Sequence, residues 1–282
     1  MFRSLLYVPA NSERFVTKAH ERDADAIILD LEDSVAPAHK DIARAALATA
    51  VPSTTRNGAN AFVRINSDDA RYLPDAEAAC RAGAFGLFVP KARDPKCIEK
   101  LATRLGEVER ELGRQGETRL VLMIEDPGAV FDARVIAAAS ARVFGLCVGG
   151  EDIATAMAAE PTPEVLRLPK LMVHMAAKAA NIRSFGLLRT VADYQDIPAI
   201  EKAAHEARSF GFDGSTCVHP SAVAILNRVF SPSAEEVERA KRMIEAFDAS
   251  VAAGAGASIF EGKMIDIPVV NRARAMIARS QR

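Results

Sequence analysis

The chain has 282 residues, of which 49% are hydrophobic and 26% charged, with a formal net charge of −1. That balance suits a globular protein with one large core. The absence of a basic stripe or tail argues against nucleic acid as a partner, and no apolar stretch is long enough to span a bilayer. The four cysteines, Cys80, Cys97, Cys147 and Cys217, form no CxxC pair, and Cys147 and Cys217 lie inside apolar runs. This is the usage of a cytoplasmic protein rather than of a disulfide framework. The amino terminus, MFRSLLYVP, enters a strand almost at once and lacks the apolar stretch and cleavage site of a signal peptide.

Eight short apolar runs follow one another: Ser4–Val8, Ala26–Leu29, Ala61–Ile65, Gly86–Val89, Leu120–Ile124, Val143–Val148, Phe185–Leu188 and Ser215–Val218. Several lack polar alternation, as expected of parallel strands covered on both faces. Between and after them the spacing predicts helices over Thr17–Arg22, Asp41–Thr49, Pro74–Arg81, Ile98–Leu112, Ala129–Ser140, Leu166–Asn181, Ile197–Phe210 and Ala234–Ala253. The repeated strand–helix order predicts an α/β fold, a (β/α)8 TIM barrel with a C-terminal arm. A doubly wound sheet is the alternative, but no GxGxxG follows any strand. The barrel is expected over residues 1–230. Residues 231–282 form a helix and arm within the same functional unit, with a break at Gly254-Ala255-Gly256-Ala257 and a short last helix that Pro268 can start.

Charged residues recur at the carboxyl ends of the strands, the end at which an α/β barrel carries its active site. The second strand is followed by LDLEDSV, with Glu32 and Asp33, and the third ends in Arg64. Lys91 follows the fourth, Glu125 the fifth and Asp152 the sixth. Glu125 alone reads equally as a solvated turn carboxylate, and Asp152 alone as a helix cap. On successive strands the pair favours a shared hard divalent cation, Mg2+ or in its place Mn2+. Such an ion takes one or two carboxylates and leaves its other positions to water and substrate oxygens.

Arg64 would be costly inside a strand unless it is paired. Glu32 or Asp33 would neutralise it, and its planar fork also suits a carboxylate or enolate oxygen. Glu32 and Asp33 are adjacent and cannot both aim at one point from a regular strand. One is expected to hold Arg64 or Lys91, and the other to reach the metal through water. Lys91 is either a Schiff-base lysine or, preferably, an ion-pair partner of Glu32 or Asp33. His219, before Pro220, reads as a packed histidine that fixes a loop.

Taken in order, RSLLYVPAN, ADAIILDLEDSVAPAHKDIAR, VRIN, VPK, MIE, GGED, GFDGSTCVHPSAV and GKMIDIP resemble the signatures of the HpcH/HpaI aldolase and citrate lyase β-subunit superfamily, in its citrate lyase β-like branch. Ala10 departs from the family's usual glycine, and Ser215-Thr216-Cys217 from its usual lysine–tryptophan phrase. The resemblance implies a metal-dependent barrel, usually a homotrimer or a multiple of one, acting on acyl-CoA or acyl-carrier thioesters. By position it makes Glu125 and Asp152 the Mg2+ ligands and Arg64 the residue near the reacting carbonyl. Asp266 matches an aspartate that in some relatives reaches the adjacent subunit's site. Arg14 and Lys18 fall where relatives contact the CoA nucleotide.

The implied reaction is retro-Claisen cleavage of a malyl-, citramalyl- or citryl-type 3-hydroxyacyl-CoA, a carbon–carbon lyase activity. Its rivals are a citrate lyase β-type subunit active only with an acyl-carrier protein, a CoA-independent pyruvate-type aldolase, and a metabolite sensor that has lost catalysis. The set Arg64, Glu125 and Asp152 argues against the last.

Overall fold

The computed structural model describes residues 1–114 and 118–280. Eight parallel strands form one sheet: β1 (Ser4–Pro9), β2 (Ala26–Asp30), β3 (Asn60–Arg64), β4 (Gly86–Val89), β5 (Arg119–Ile124), β6 (Val143–Val148), β7 (Arg183–Phe185) and β8 (Ser215–Cys217). Each pairs with its neighbour in sequence, and β1 also pairs with β8. A single bridge, Phe185 to Gly214, joins β7 to the entry of β8 and closes the barrel. The predicted barrel is therefore the observed fold. The seventh strand meets the expected run Phe185–Leu188 only at Phe185, because it lies earlier, over Arg183–Phe185, and Gly186 at φ 147° takes the chain out of it.

Strand side chains alternate between the barrel interior and the helical layer. Leu5, Ala26, Ile28, Phe62, Phe88, Val121, Met123, Cys147 and Phe185 share the interior. Its core is aromatic. Phe2 meets Phe62, Phe85 and Phe144 at 5.8, 5.4 and 5.2 Å, and the Arg183 guanidinium covers Phe2 and Phe144 at 5.4 and 5.0 Å. This network fills the amino-terminal end of the barrel. Cavity space is left at the carboxyl ends of the strands, where the polar side chains lie.

The surrounding helices are α1 (Glu13–Ala19), α2 (Lys40–Thr54), α3 (Tyr72–Arg81), α4 (Pro95–Glu111), α5 (Pro127–Ala137), α6 (Gly150–Ala156), α7 (Pro163–Ala179), α8 (Ile197–Phe210) and α9 (Val223–Phe230). Helices α4, α5 and α7 begin two or three residues before the sequence expectation. In each, a proline at the first position follows a capping side chain: Asp94 accepts from the Lys96 amide, Asp126 from Ala129 and Thr162 from Val165. Proline loses nothing in a first turn, whose amides have no partner in the helix, and the Asp or Thr oxygen satisfies one of those amides. Helix α2 runs past its expected end at Thr49 to Thr54 and carries Pro52 inside it.

Residues 2–227 form one compact unit and the residues from 228 onward a second. The second unit contains α10 (Ala234–Ala252), a hairpin of β9 (Ser258–Phe260) and β10 (Lys263–Ile265), and α11 (Ile267–Ser280). Its core is Ala240, Met243, Phe247, Ile265, Val270 and Ala273. A Ser233–Glu236 capping box starts α10. The hairpin was not anticipated, since three-residue strands give too short an alternation to read. Its cross-strand pair Ile259–Met264 is exposed, at 77% and 72%.

Candidate active site

Arg64 ends β3 directly opposite Asp30, the last residue of β2. Both Asp30 oxygens accept from the guanidinium, Nε at 2.6 Å and Nη2 at 2.7 Å. The remaining nitrogen, Nη1, lies 3.1 Å from Glu32 Oε2 and 2.9 Å from Asp33 Oδ2. The guanidinium carbon sits 4.9 Å from the centre of the Tyr7 ring. Arg64 is thus held on three sides by carboxylates and stacked on an aromatic face, and its charge is favoured still further by those partners.

Asp30 is the residue that the sequence reading did not single out. It is 1% exposed and also accepts from the Ser34 hydroxyl at 2.5 Å and from the Glu32 and Ser34 amides at 3.0 Å each. Burial alone would raise its pKa, but Arg64 and Ser34 override that and hold the carboxyl below its ordinary range. The available signal was an acid closing the apolar run AIILD, in register with the arginine that closes AFVR.

Glu32 and Asp33 both reach Nη1 of Arg64, against the expectation that adjacent residues diverge. The strand ends at Asp30 and the chain turns, so strand alternation no longer applies to them. The turn is held by Lys40, whose Nζ donates to the carbonyls of Leu31 and Glu32 at 3.2 and 3.0 Å and to the Asn66 side chain. Burial, more than the neighbouring acids, raises the Glu32 carboxyl to about 7.

Glu125 is 6% exposed just past β5. Its Oε2 accepts the Lys91 amide at 2.9 Å, an amide presented by a backbone in the left-handed region at φ 51°. So Lys91 meets the site through its main chain, not through the expected ion pair with Glu32 or Asp33. Its side chain lines a separate cavity of about 430 Å3 on the other flank of Glu125. Gly149 backs the carboxylate: a Cβ there would stand 2.7 Å from Glu125 Cγ and Oε1. Asp152 is exposed in the first turn of α6. Burial, followed by repulsion from Asp152 and Glu32, pushes the Glu125 carboxyl up to about 8.

A cavity of about 450 Å3 gathers most of these groups, while Glu125 lies against its Gly149 and lines the 430 Å3 cavity instead. Asp30, Asp33, Ser34 and Arg64 line one wall, and Gly149, Gly150, Glu151 and Asp152 another. Tyr7, Met123, Cys147 and Phe185 contribute its apolar lining. The loop after β7 supplies Val191 and Ala192. It is anchored by the buried Lys170, which donates to the carbonyls of Leu187 and Arg189 at 2.9 and 2.8 Å, and by the Thr190 hydroxyl bonding Glu151. Arg14 and Lys18 lie exposed on α1, outside the cavity lining. Asp266 belongs to the second unit, where its Oδ1 accepts the Val269 amide at the start of α11.

Among the described residues no three His, Cys, Asp or Glu side chains converge as a metal cage. The donor set fits Mg2+ all the same. A carboxylate whose pKa is raised by burial and then by its acidic neighbours would be relieved by a cation, and Mg2+ needs only one or two protein carboxylates.

The HpcH/HpaI aldolase/citrate lyase family model matches residues 3–220. The citrate lyase subunit beta of Haemophilus influenzae is 32% identical, covering 99% of this chain and 97% of its own. A (3S)-malyl-CoA thioesterase of Cereibacter sphaeroides is 31% identical, covering 99% and 95%. The structure of CitE from Mycobacterium tuberculosis in complex with magnesium, acetoacetate and coenzyme A superposes with a TM-score of 0.79 at 28% identity, covering 99% of this chain and 98% of that one.

Proposed function

The chain belongs to the HpcH/HpaI aldolase/citrate lyase family, and from that premise we propose that it is a Mg2+-dependent carbon–carbon lyase that cleaves a 3-hydroxyacyl-CoA thioester of the malyl, citramalyl or citryl type. The observation that carries this reading is a carboxylate-locked Arg64 that shares one cavity with Asp152, with Glu125, bonded to a backbone amide, packed against Gly149 of its lining. The CoA and magnesium named with the CitE relative support the same substrate class and cofactor.

Glu125 and Asp152 hold the ion in this reading. When bound, Mg2+ offsets their charge and acts as a Lewis acid that lowers the pKa of a substrate hydroxyl. Arg64 faces the oxygen that gains charge as the carbon–carbon bond opens, which leaves a keto acid and a thioester enolate. Asp30 positions Arg64, with Glu32 and Asp33 completing its orientation. Asp266 takes one proton-transfer step from an adjacent copy, and Arg14 and Lys18 receive the CoA nucleotide.

The working unit is a homotrimer or a multiple of one, and the exposed Ile259–Met264 pair supports a contact of the C-terminal unit with another chain. The barrel, residues 1–230, and the arm, residues 231–282, act as one functional unit. The protein is cytoplasmic in this reading. The described residues include no helix long and apolar enough to cross a membrane.

Keto-acid release from malyl-CoA, citramalyl-CoA and citryl-CoA, with Mg2+ and with chelator, tests the reading. Mg2+-dependent glyoxylate, pyruvate or oxaloacetate is the expected result and names the substrate. Activity that appears only with an acylated carrier protein would make the chain a complex subunit. A second reading rests on the thioesterase relative, whose identity to this chain nearly equals that of the citrate lyase subunit. Free CoA and a hydroxy acid, with no keto acid, would favour it.

A further inference from the structure

The donors of Arg64 are nearly spent. A guanidinium offers five N–H groups. Nε and one N–H of Nη2 are committed to Asp30, and Nη1 is shared by Glu32 and Asp33. One Nη2 N–H is left for a substrate. An oxygen that takes up a full charge in a site shielded from water needs more than one donor, as oxyanion holes generally provide.

Tyr7 is placed to complete the set. Register aligns it with Ile28 on β2, and strand alternation puts Leu5 and Tyr7 on the interior face. Its ring underlies the Arg64 guanidinium and its side chain lines the same cavity. Among the described residues the hydroxyl meets only a sulfur, Met123 Sδ at 4.0 Å, which is a weak acceptor at the limit of reach. Met123 lies on β5 and lines the same cavity, so the hydroxyl lies on the β5 side of it. A phenol is already a donor at neutral pH, and burial raises its pKa further.

Two other side-chain donors of the lining are engaged elsewhere. Ser34 is bonded to Asp30, and Lys170 to two carbonyls. Thr216 also lines the cavity, but it lies on β8, and it is Tyr7 that packs on Arg64.

We propose that Tyr7 is a further catalytic residue, whose hydroxyl shares with Arg64 the oxygen that becomes negative on the thioester side of the cleaved bond. The inference rests on the lyase reading above. Arg64 is the charged partner of this oxygen, and Tyr7 is the neutral one.

Tyr7→Phe keeps the ring beneath Arg64 and removes only the hydroxyl. Two measurements on the full chain with Mg2+ test it: keto-acid release from the thioester panel, and deuterium uptake into the methyl group of acetyl-CoA in heavy water, which reads enolate formation alone. The expected result is a fall on the order of 100-fold in kcat and in the exchange rate, the size seen for one oxyanion donor. KM should stay within about 3-fold, because the contact strengthens only as charge develops. Tm should stay within about 3 °C, since a single weak hydrogen bond is lost.

Turnover and exchange within about 3-fold of the parent, or a raised KM at unchanged kcat, would overturn the role. Failure of the parent protein itself to cleave or exchange would instead overturn the lyase reading, and the Tyr7 assignment with it. The two failures are therefore told apart by the parent's own result.

Discussion

The two walls of the site, one around Arg64 and one around Glu125, solve the problem of a buried charge in opposite ways. On the Arg64 wall the protein supplies every countercharge: Asp30 at two points, then Glu32 and Asp33, with Tyr7 beneath. On the Glu125 wall it supplies one backbone amide and then adds acids, and the carboxyl is pushed up to about 8. The first wall is complete as folded. In the proposed reading a cation completes the second, so the difference would separate a preorganised electrostatic element from a binding site. Preorganised groups stabilise a transition state without rearranging, whereas an uncompensated acid stores an affinity for the ion that relieves it.

The sharpest way to break this contrast is at the acidic wall. Glu125→Ala should abolish Mg2+-dependent keto-acid release while circular dichroism and Tm show an intact barrel. Mg2+ affinity by calorimetry should fall in parallel. Retained Mg2+ dependence would remove Glu125 from the ligand set. On the opposite wall, Arg64→Ala should lower kcat on the order of 100-fold or more, as for the loss of an oxyanion donor, yet leave Mg2+ affinity close to that of the parent. A variant that loses metal binding as well would show that the walls are not separable.

Asp30→Asn probes how far the first wall depends on its positioning residue. The change leaves the side chain's size but removes the charge that holds Nε and Nη2. Breaking one side of a buried ion pair costs about 3–5 kcal/mol when the other charge is stranded. Glu32 and Asp33 remain beside Arg64, so the loss should fall below that range. Turnover should drop by less than in Arg64→Ala. Denaturant unfolding and kcat, measured on the same preparation, would separate the stability cost from the loss of orientation. Equal turnover losses in the two variants would mean that Arg64 acts only when locked by Asp30.

The contrast between the walls also explains what the sequence made legible. Apolar strand runs of four to six residues, each followed by an amphipathic segment, announced the barrel, and charges gathered at one end of the strands announced the site. Individual partnerships were harder to see. Asp30 looks like the end of an apolar run, and only strand register places it opposite Arg64. Lys91 looks like a side chain in search of an acid, but a left-handed backbone conformation turns its amide to Glu125 instead. Glu32 and Asp33 converge because the chain turns after Asp30, a feature that residue spacing does not encode. Tyr7 reads as one more strand residue until the ring is seen beneath the guanidinium. These are effects of register and loop geometry, which pattern alone does not specify.

The smallest expected effect follows from the sign of the Glu125 shift. An unfolded glutamate titrates near its ordinary value of 4.5, while in the metal-free fold Glu125 titrates at about 8. The folded state therefore binds the extra proton. The stability this contributes is fully present below the unfolded pKa and is lost as pH rises through the folded one. Metal-free protein should accordingly lose stability between about pH 5 and pH 8, in the direction opposite to an ion-paired acid such as Glu109, which Arg142 and Thr118 hold at about 2 against the effect of burial. If Glu125 holds the ion as proposed, Mg2+ displaces its proton, so binding below about pH 8 should release protons, and the rise in Tm that Mg2+ produces should grow from pH 6 to pH 8.5. Thermal scans across that range, with and without Mg2+, would measure it. Calorimetry in two buffers of different ionisation enthalpy would count the protons. A Mg2+-induced shift in Tm that is flat with pH would mean that Glu125 is already ionised in the metal-free protein, and that the acidic wall is less frustrated than its geometry implies.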